Sequence, residues 1–486
     1  MPTETAYPTP ELSVEPISPR ERSAIRMIPF IVGCALFMQM LDATVVATAL
    51  PAMALSLDTS VVHMNVAITS YLLAVAVFVP ISGWAADRYG ARRVFIAAIL
   101  LFTLSSIACA ASQSIAQLVV ARVVQGLAGA MMVPVGRVIL LRKIPKTELL
   151  KAMAFLSLPA LLGPLIGPPL GGFLVTYASW HWIFLINIPV GVLGIGLVIY
   201  YIRDDFPVTA PRLDWVGFIL SGVSLATLVS SFEAVGHQSL SLPQLLIMVA
   251  VGLTCGALYI WHARRIEHPI IDLSLLRVPT FAIATLGGNL CRFAVGASPF
   301  LLAILLQVGF GLTPFSAGMI TFTSAAGAMV MKFVATPIIR RYGFKRVLVT
   351  NAVLTAAFIM LCGLFRADTP LWIMIAILVI GGFFRSLQFT AVNTLTYADL
   401  GSADMARASS FAAMAQQLGI SLGVACAAVT MNLSMQWRGA SELALADIVW
   451  GFIVIGLITA ASAISFSRLP ATAGNNLHKT KSVGRV

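Results

Sequence analysis

From residue 27 to residue 467 the chain alternates long apolar runs with short polar ones. Fourteen runs approach the roughly 20 residues that a helix needs to cross a hydrocarbon core about 30 Å thick. They are 27–50, 63–84, 94–111, 117–140, 152–177, 182–202, 215–232, 243–262, 281–307, 315–338, 347–365, 371–393, 408–432 and 448–466. The pattern predicts an all-α polytopic membrane protein with fourteen transmembrane helices. Residues 1–26 are rich in Pro, Glu, Ser and Arg and lack the basic-then-apolar order of a signal peptide. They read as a short disordered tail, matched at the other end by a tail over 468–486.

Composition narrows the class further. The 486 residues are 59% hydrophobic and 10% charged, where a soluble domain carries about a quarter charged residues. A large soluble fold is thereby excluded. The net charge of +12 invites a nucleic-acid reading, but its distribution argues against one. With both termini placed inside the cell, 24 of the 31 Lys and Arg fall in cytoplasmic segments, and only Arg366 and Arg438 fall outside. The positive-inside rule thus sets the orientation, and the basic excess faces anionic lipid. All six cysteines lie inside apolar runs, with spacing that suggests neither a metal site nor a disulfide framework.

Two loops repeat. DRYGARRV at 87–94 and RRYGFKRV at 340–347 share R-Y-G-x-[RK]-R-V at an offset of 253 residues. Arg122-Val-Val-Gln125 is matched by Arg385-Ser-Leu-Gln388 at an offset of 263. Duplication on this scale predicts two parallel six-helix bundles, 27–202 and 281–467. The linker between them, 203–280, carries the two extra spans.

The motifs resemble the major facilitator superfamily, specifically the fourteen-span bacterial drug:proton antiporters. Gly83-Trp-Ala-Ala-Asp87-Arg88-Tyr-Gly90-Ala-Arg92-Arg93 is similar to the superfamily's loop between spans two and three. Gly163-Pro164-Leu-Ile-Gly167-Pro168-Pro169-Leu-Gly171-Gly172 resembles the fifth-span motif of antiporters. Leu41-Asp42-Ala-Thr44 through Leu50-Pro51 resembles the first-span motif of that branch, and Trp180 to Gly191 its sixth-span start. The likeness covers roughly residues 27 to 467. There are departures: Ala47 stands where the branch usually has Asn, His181 where it has Arg, and Arg340 where the first loop has Asp87. The resemblance implies a proton-coupled exporter of drugs or other amphipathic compounds in a bacterial inner membrane. It would be driven by the proton gradient with no cofactor, and an outer-envelope partner is left open.

Asp42 is the one acid found near the middle of a span. From the start of the first span it lies about 22 Å deep, and Arg122 lies roughly 8 Å from the opposite face. The two depths coincide, so Asp42 and Arg122 form a candidate buried pair, with Gln39 on the same face as Asp42. Burial favours a neutral carboxyl and an adjacent guanidinium favours the carboxylate. A carboxylate that changes partner and water access between two conformations can carry a proton. A static bridge that only fixes packing is the plainer reading, and both stand at this point. Thr285, Asn289, Arg292 and Gly296 make a polar stripe on the ninth span, read as cavity lining or as interhelical glue. Arg385 and Gln388 extend the candidate cavity. The loop residues Gly83, Asp87, Arg88, Gly90, Arg92 and Arg93 read as a charged hinge. Gly163, Pro164, Gly167, Pro168, Gly171 and Gly172 read as a bend that seals the two halves, or as plain close packing. Trp180, His181 and Trp182 fit an interfacial aromatic belt.

No phosphate-binding G-x-x-x-x-G-K-[ST] loop, nucleophile–base constellation or metal-ligand spacing is present, so neither primary transport nor an enzyme is expected. The rivals to drug export are a transporter of one metabolite or organic anion, held by Arg292 and Arg385, and a non-transporting sensor or scaffold.

Overall fold

Pro, Gly and hydroxyl residues are frequent in the apolar runs, and the fold shows how they are accommodated. A computed structural model describes residues 19–143, 162–163, 165–203, 212–237, 240–267, 269–400, 405–440, 442–470 and 473. Regular structure among the described residues is helical throughout. The first half contains α1 (Pro19–Ser56), α2 (Val66–Phe78), α3 (Ser82–Tyr89), α4 (Ala91–Ala110), α5 (Ile115–Lys143), α6 (Leu165–Tyr177), α7 (Trp182–Leu185) and α8 (Asn187–Tyr201). Then come α9 (Trp215–His237) and α10 (Leu242–Ala263). The second half contains α11 (Pro279–Ile304), α12 (Pro314–Tyr342), α13 (Phe344–Cys362), α14 (Leu371–Thr396), α15 (Met405–Trp437) and α16 (Leu445–Ser467).

Among the described residues thirteen stretches are long and apolar enough to cross a membrane, with α2–α3 and α7–α8 each forming one of them. The shorter apolar α6 takes the fifth position; residues 152–161 of that expected span lie outside the described residues. The chain is a multi-pass membrane protein. Prolines sit inside α1 (Pro29, Pro51), α5 (Pro134), α11 (Pro299) and α12 (Pro337), as packed membrane helices tolerate. Many hydroxyl side chains return their hydrogens to the preceding turn. Thr48 donates to the Val45 carbonyl at 2.7 Å, and Thr103 to that of Ile99 at 2.8 Å. A Ser or Thr buried this way leaves no unpaired donor in an apolar span.

The repeat is visible in the backbone. Gly90 (φ 88°) and Gly343 (φ 76°) both adopt a positive φ that L side chains disfavour. Each links two antiparallel helices through a single residue, α3 to α4 and α12 to α13. In the first half α1, α2, α4, α5 and α8 pack on one another. In the second half α11, α14, α15 and α16 do so, with α12 against α14 and α13 against α14 and α16. Helices α9 and α10 pair, and Ser224 of α9 donates to the Gly252 carbonyl of α10 at 2.8 Å. These two are the least buried of the long spans. α9 lies on α2 of one half and α15 of the other.

The halves meet tightly at the end of the bundle that carries the α1–α2 turn. Gln307, in the π-helical turn Leu305–Gly309 after α11, donates to the Thr48 carbonyl at 2.9 Å. The Phe315 amide of α12 donates to Thr176 at 3.1 Å, and the Phe315 ring meets Phe173 and Tyr177 edge-on. One expectation is corrected here. Trp180 is buried and stacks on His181 at 3.8 Å, so its ring packs inside the protein rather than in an interfacial belt. Trp182 is the exposed member of the trio.

Candidate functional site

A charged group in an apolar span must be paired or it is costly. In the first half the buried charges are paired. The Asp42 carboxylate on α1 accepts from Arg122 on α5 at 2.6 Å, with both side chains sealed from solvent. It also accepts from Gln125 Nε2 at 3.0 Å and, more loosely, from Asn187 Nδ2 of α8 at 3.5 Å. Gln125 sits one turn after Arg122 and uses both ends of its amide. Its Oε1 accepts from Arg122 at 2.6 Å, and its Nε2 also donates to Ser106 of α4 at 2.8 Å. Asn187 donates to the same Ser106 hydroxyl at 3.1 Å.

The guanidinium has further supports. Its Nε donates to the Ala67 carbonyl of α2 at 2.8 Å, and its Cζ lies 4.3 Å from the Tyr71 ring centroid. The close approach of α5 to α2 makes this reach possible. A Cβ on Gly126 would come within 2.5 Å of the Tyr71 carbonyl, so only glycine fits. Five helices thus converge on one ion pair. Among the described residues Asp42, Asp272 and Asp447 are the buried carboxylates, and only Asp42 lies mid-helix. Asp272 lies outside the long helices and pairs with Arg407. Asp447 in the first turn of α16 accepts from Ala444 N, Ser434 and Arg438.

Gln125, Ser106, Asn187 and Tyr71 were not singled out as site residues by sequence. Gln125 is part of the repeated R-x-x-Q, which was the available signal. Gln39 is buried, near Gly129 and Tyr71.

The second half builds a related node with different chemistry. Gln388 of α14 donates to Cys291 of α11 and to the Leu348 carbonyl of α13, both at 3.3 Å, and accepts from Asn351 of α13 at 2.8 Å. The Cys291 thiol also meets the Ser462 hydroxyl of α16 at 2.9 Å. First, third, fourth and sixth helices meet here as they do around Gln125, with a thiol where the first half has a carboxylate. Arg385, the counterpart of Arg122, donates to Ser324 of α12 at 2.7 Å. Arg292 donates to Asn289 at 3.2 Å and to Asn393 at 3.0 Å. Arg292, Arg385 and Gln388 line one small pocket. Gly296, expected on the same polar stripe, packs directly on the Ile420 carbonyl, where a Cβ would come within 2.1 Å. That end of the stripe is helix contact.

The glycine–proline run of α6 and the residues just before it show two faces. Gly163, Gly167 and Gly171 lie against Met40, Thr44 and Val45 of α1. Gly172 and Pro168 lie against Pro314 and Gly318 of α12, in the other half. Pro164 falls outside the described residues. In the loop, Gly83 has open space around its Cα. Asp87 is half-buried, and Arg88 and Arg93 are exposed. Arg92 donates to the Ile199 carbonyl at the end of α8 at 3.0 Å, where a helix presents unpaired carbonyls and favours a cation.

This geometry can be set against known proteins. A family model described as the Major Facilitator Superfamily matches residues 32–298 and 282–484. The chain belongs to that superfamily. Among curated relatives, "Putative multidrug resistance protein MdtD" of Pectobacterium atrosepticum is 40% identical over 452 residues, 92% of this chain and 96% of its own. The protein of the same name in Serratia proteamaculans is 39% identical over 459 residues, 94% of this chain and 96% of its own. Solved transporter structures share the fold at low identity. A D-xylose–proton symporter aligns with TM-score 0.65 at 14% identity, covering 93% of this chain and 99% of that one. An auto-inhibited POT family peptide transporter aligns with TM-score 0.66 at 15% identity, covering 94% and 98%.

Proposed function

We propose that this major facilitator protein exports amphipathic organic compounds in exchange for protons across a bacterial inner membrane, with both termini in the cytoplasm. The observation that carries the reading is the ion pair of Asp42 and Arg122, fully buried mid-span where five helices converge. Such a charge is costly to insert and is retained where it carries ions or protons. The relatives named for multidrug resistance point to the same export.

The chemistry follows from the partners. Asp42 ionised holds Arg122, Gln125 and Asn187 on its two oxygens. Protonation at one oxygen turns an acceptor into a donor and removes the charge that holds the guanidinium. Arg122 then keeps Ala67 O and Gln125 Oε1. The helices that supply these groups are α1, α2, α4, α5 and α8, so the proton changes contacts across the whole first bundle. Residues 27–202 and 281–467 act as two bodies that rock about the site, with 203–280 as linker. In this cycle the contacts of Pro168 and Gly172 with Gly318 and Pro314 serve to close the periplasmic end. The loop from Gly83 to Arg93 serves the switch at the cytoplasmic end. The proton gradient is the energy source, and the cycle has no catalytic step and no cofactor.

The test is proton movement in liposomes holding a trapped pH dye, with the parent and Asp42→Asn. Substrate-triggered proton flux in the parent and none in the variant supports the reading. Equal flux in both defeats the assignment of Asp42.

A further inference from the structure

Among the described residues the second half holds two cations, one buried and one half-buried, without an acid to balance them. Arg292 is 3% exposed, and Arg385 is half-buried beside it on the wall of one pocket. Their hydrogen bonds go to Asn289, Asn393 and Ser324, all neutral. Neither makes an ion pair among the described residues. In the first half the equivalent arginine is neutralised by Asp42; here the corresponding node carries the Cys291 thiol. Two further donors are left over: Arg292 Nε and the Thr355 hydroxyl are buried without a hydrogen-bond partner. Thr355 and Arg385 also line a second, adjoining pocket, whose walls include Leu302, Phe358, Ile377 and Phe452.

Buried cations with unused donors are stable only with a counter-charge or water. We infer that the substrate supplies it: the protein takes an amphipathic organic acid, ionised as a carboxylate. The carboxylate seats between Arg292, Arg385 and Thr355, and the apolar body runs toward Phe358 and Phe452. Guanidinium forks suit carboxylate oxygens in particular. This rests on the export reading and narrows its substrate class. It also divides the work, with the proton handled by the first half and the anion by the second.

Binding tests it separately from transport. Purified full-length protein in vesicles of zwitterionic phosphatidylcholine is titrated with fluorescent 2-naphthoate, its neutral amide and 2-naphthylmethylammonium. Preferential binding of the carboxylate, weakened at least tenfold by Arg292→Gln and by Arg385→Gln, is the expected result. The Arg292→Lys and Arg385→Lys variants lose the fork but keep the charge, and bind the carboxylate more tightly than the glutamine variants, which separates charge from folding. Equal or tighter binding of the cation, or carboxylate binding unchanged in both glutamine variants, overturns the inference. Carboxylate binding that appears only as competition with added anionic phosphatidylglycerol also overturns it, because the site then belongs to lipid. Proton flux with the same probes reads the export reading independently. Carboxylate binding without coupled flux would sink proton exchange and leave the anion site standing. Coupled flux driven by the cation would do the reverse.

Discussion

Asp42→Asn and the double variant Asp42→Asn/Arg122→Gln separate a proton carrier from a structural strut. The single variant removes the charge that Arg122 meets at 2.6 Å, while the guanidinium stays fully buried. Removing one partner of a buried pair costs about 3–5 kcal/mol. Ala67 O, Gln125 Oε1 and the Tyr71 face remain to hold the cation, which puts the expected loss near the lower bound, about 3 kcal/mol. A proton crossing at a motive force of ~150 mV releases about 3.5 kcal/mol, at about 2.3 kcal/mol per 100 mV. The two magnitudes match, so protonating this pair lies within what one proton can drive. The double variant removes the stranded charge as well, and replacing both members of a buried pair is often nearly neutral. Thermal unfolding in detergent should therefore show a lower Tm for the single variant and a largely restored Tm for the double. Proton-coupled export in liposomes should be absent from both. A double variant that regains stability and coupled export together would refute the carrier role, since two amides cannot move a proton as the carboxylate does.

Other expectations follow from the same contacts. Gln125→Leu strands an Arg122 hydrogen and leaves Asp42 Oδ1 and Ser106 with Asn187 alone on that side. It should cost about 1–3 kcal/mol per stranded group, read as a Tm loss and impaired coupling. Gly172→Val drives a side chain into the Pro314 carbonyl, since even a Cβ would come within 2.3 Å. Spin labels at Tyr177→Cys and Thr313→Cys should then report longer distances and a population shifted away from the closed end; an unchanged distribution would show that the contact does not hold the seal. Asp447→Asn loosens the Arg438 and Ser434 contacts at the start of α16. It should lower Tm and leave proton coupling intact, and a loss of coupling would make Asp447 a second proton site. Export of a monocarboxylate against one entering proton moves two charges down an inside-negative potential, and export of a monocation moves none. At 100 mV the difference is about 4.6 kcal/mol, so valinomycin-imposed potentials should accelerate carboxylate export selectively.

The spans were legible because hydropathy over some 20 residues reports a single physical demand, satisfaction of the backbone inside lipid. The Asp42–Arg122 pair was legible for a related reason: depth along a helix follows from residue count, and two charges at one depth have few other partners. What a residue count cannot give is rotation about each helix axis relative to its neighbours. Ser106 and Asn187 are ordinary polar residues in apolar runs, and many like them, such as Ser105 and Thr103, simply return a hydrogen bond to the preceding turn. Only the packing of α4 against α5, and of α8 against α1 and α4, distinguishes the first kind from the second. The same holds for Gly296, placed on the face of Arg292 by periodicity, whose neighbour, the Ile420 carbonyl, comes from another helix.

The duplicated halves supply a comparison within one molecule. Both keep an Arg and a Gln one turn apart on the fourth helix, and in both the Gln joins the first and third helices. Since the Gln node persists without a carboxylate, the node alone suffices for packing. Asp42 is then surplus to what helix packing requires in this fold, and its cost in lipid calls for another return. Conversely, Arg385 persists without its acid, so its charge is not retained to neutralise one. A strut would need both members in each half. Among the described residues the acid stands in one half and a cation without an ion pair in the other, a division that suits two ions moving in opposite directions and does not suit a symmetric scaffold.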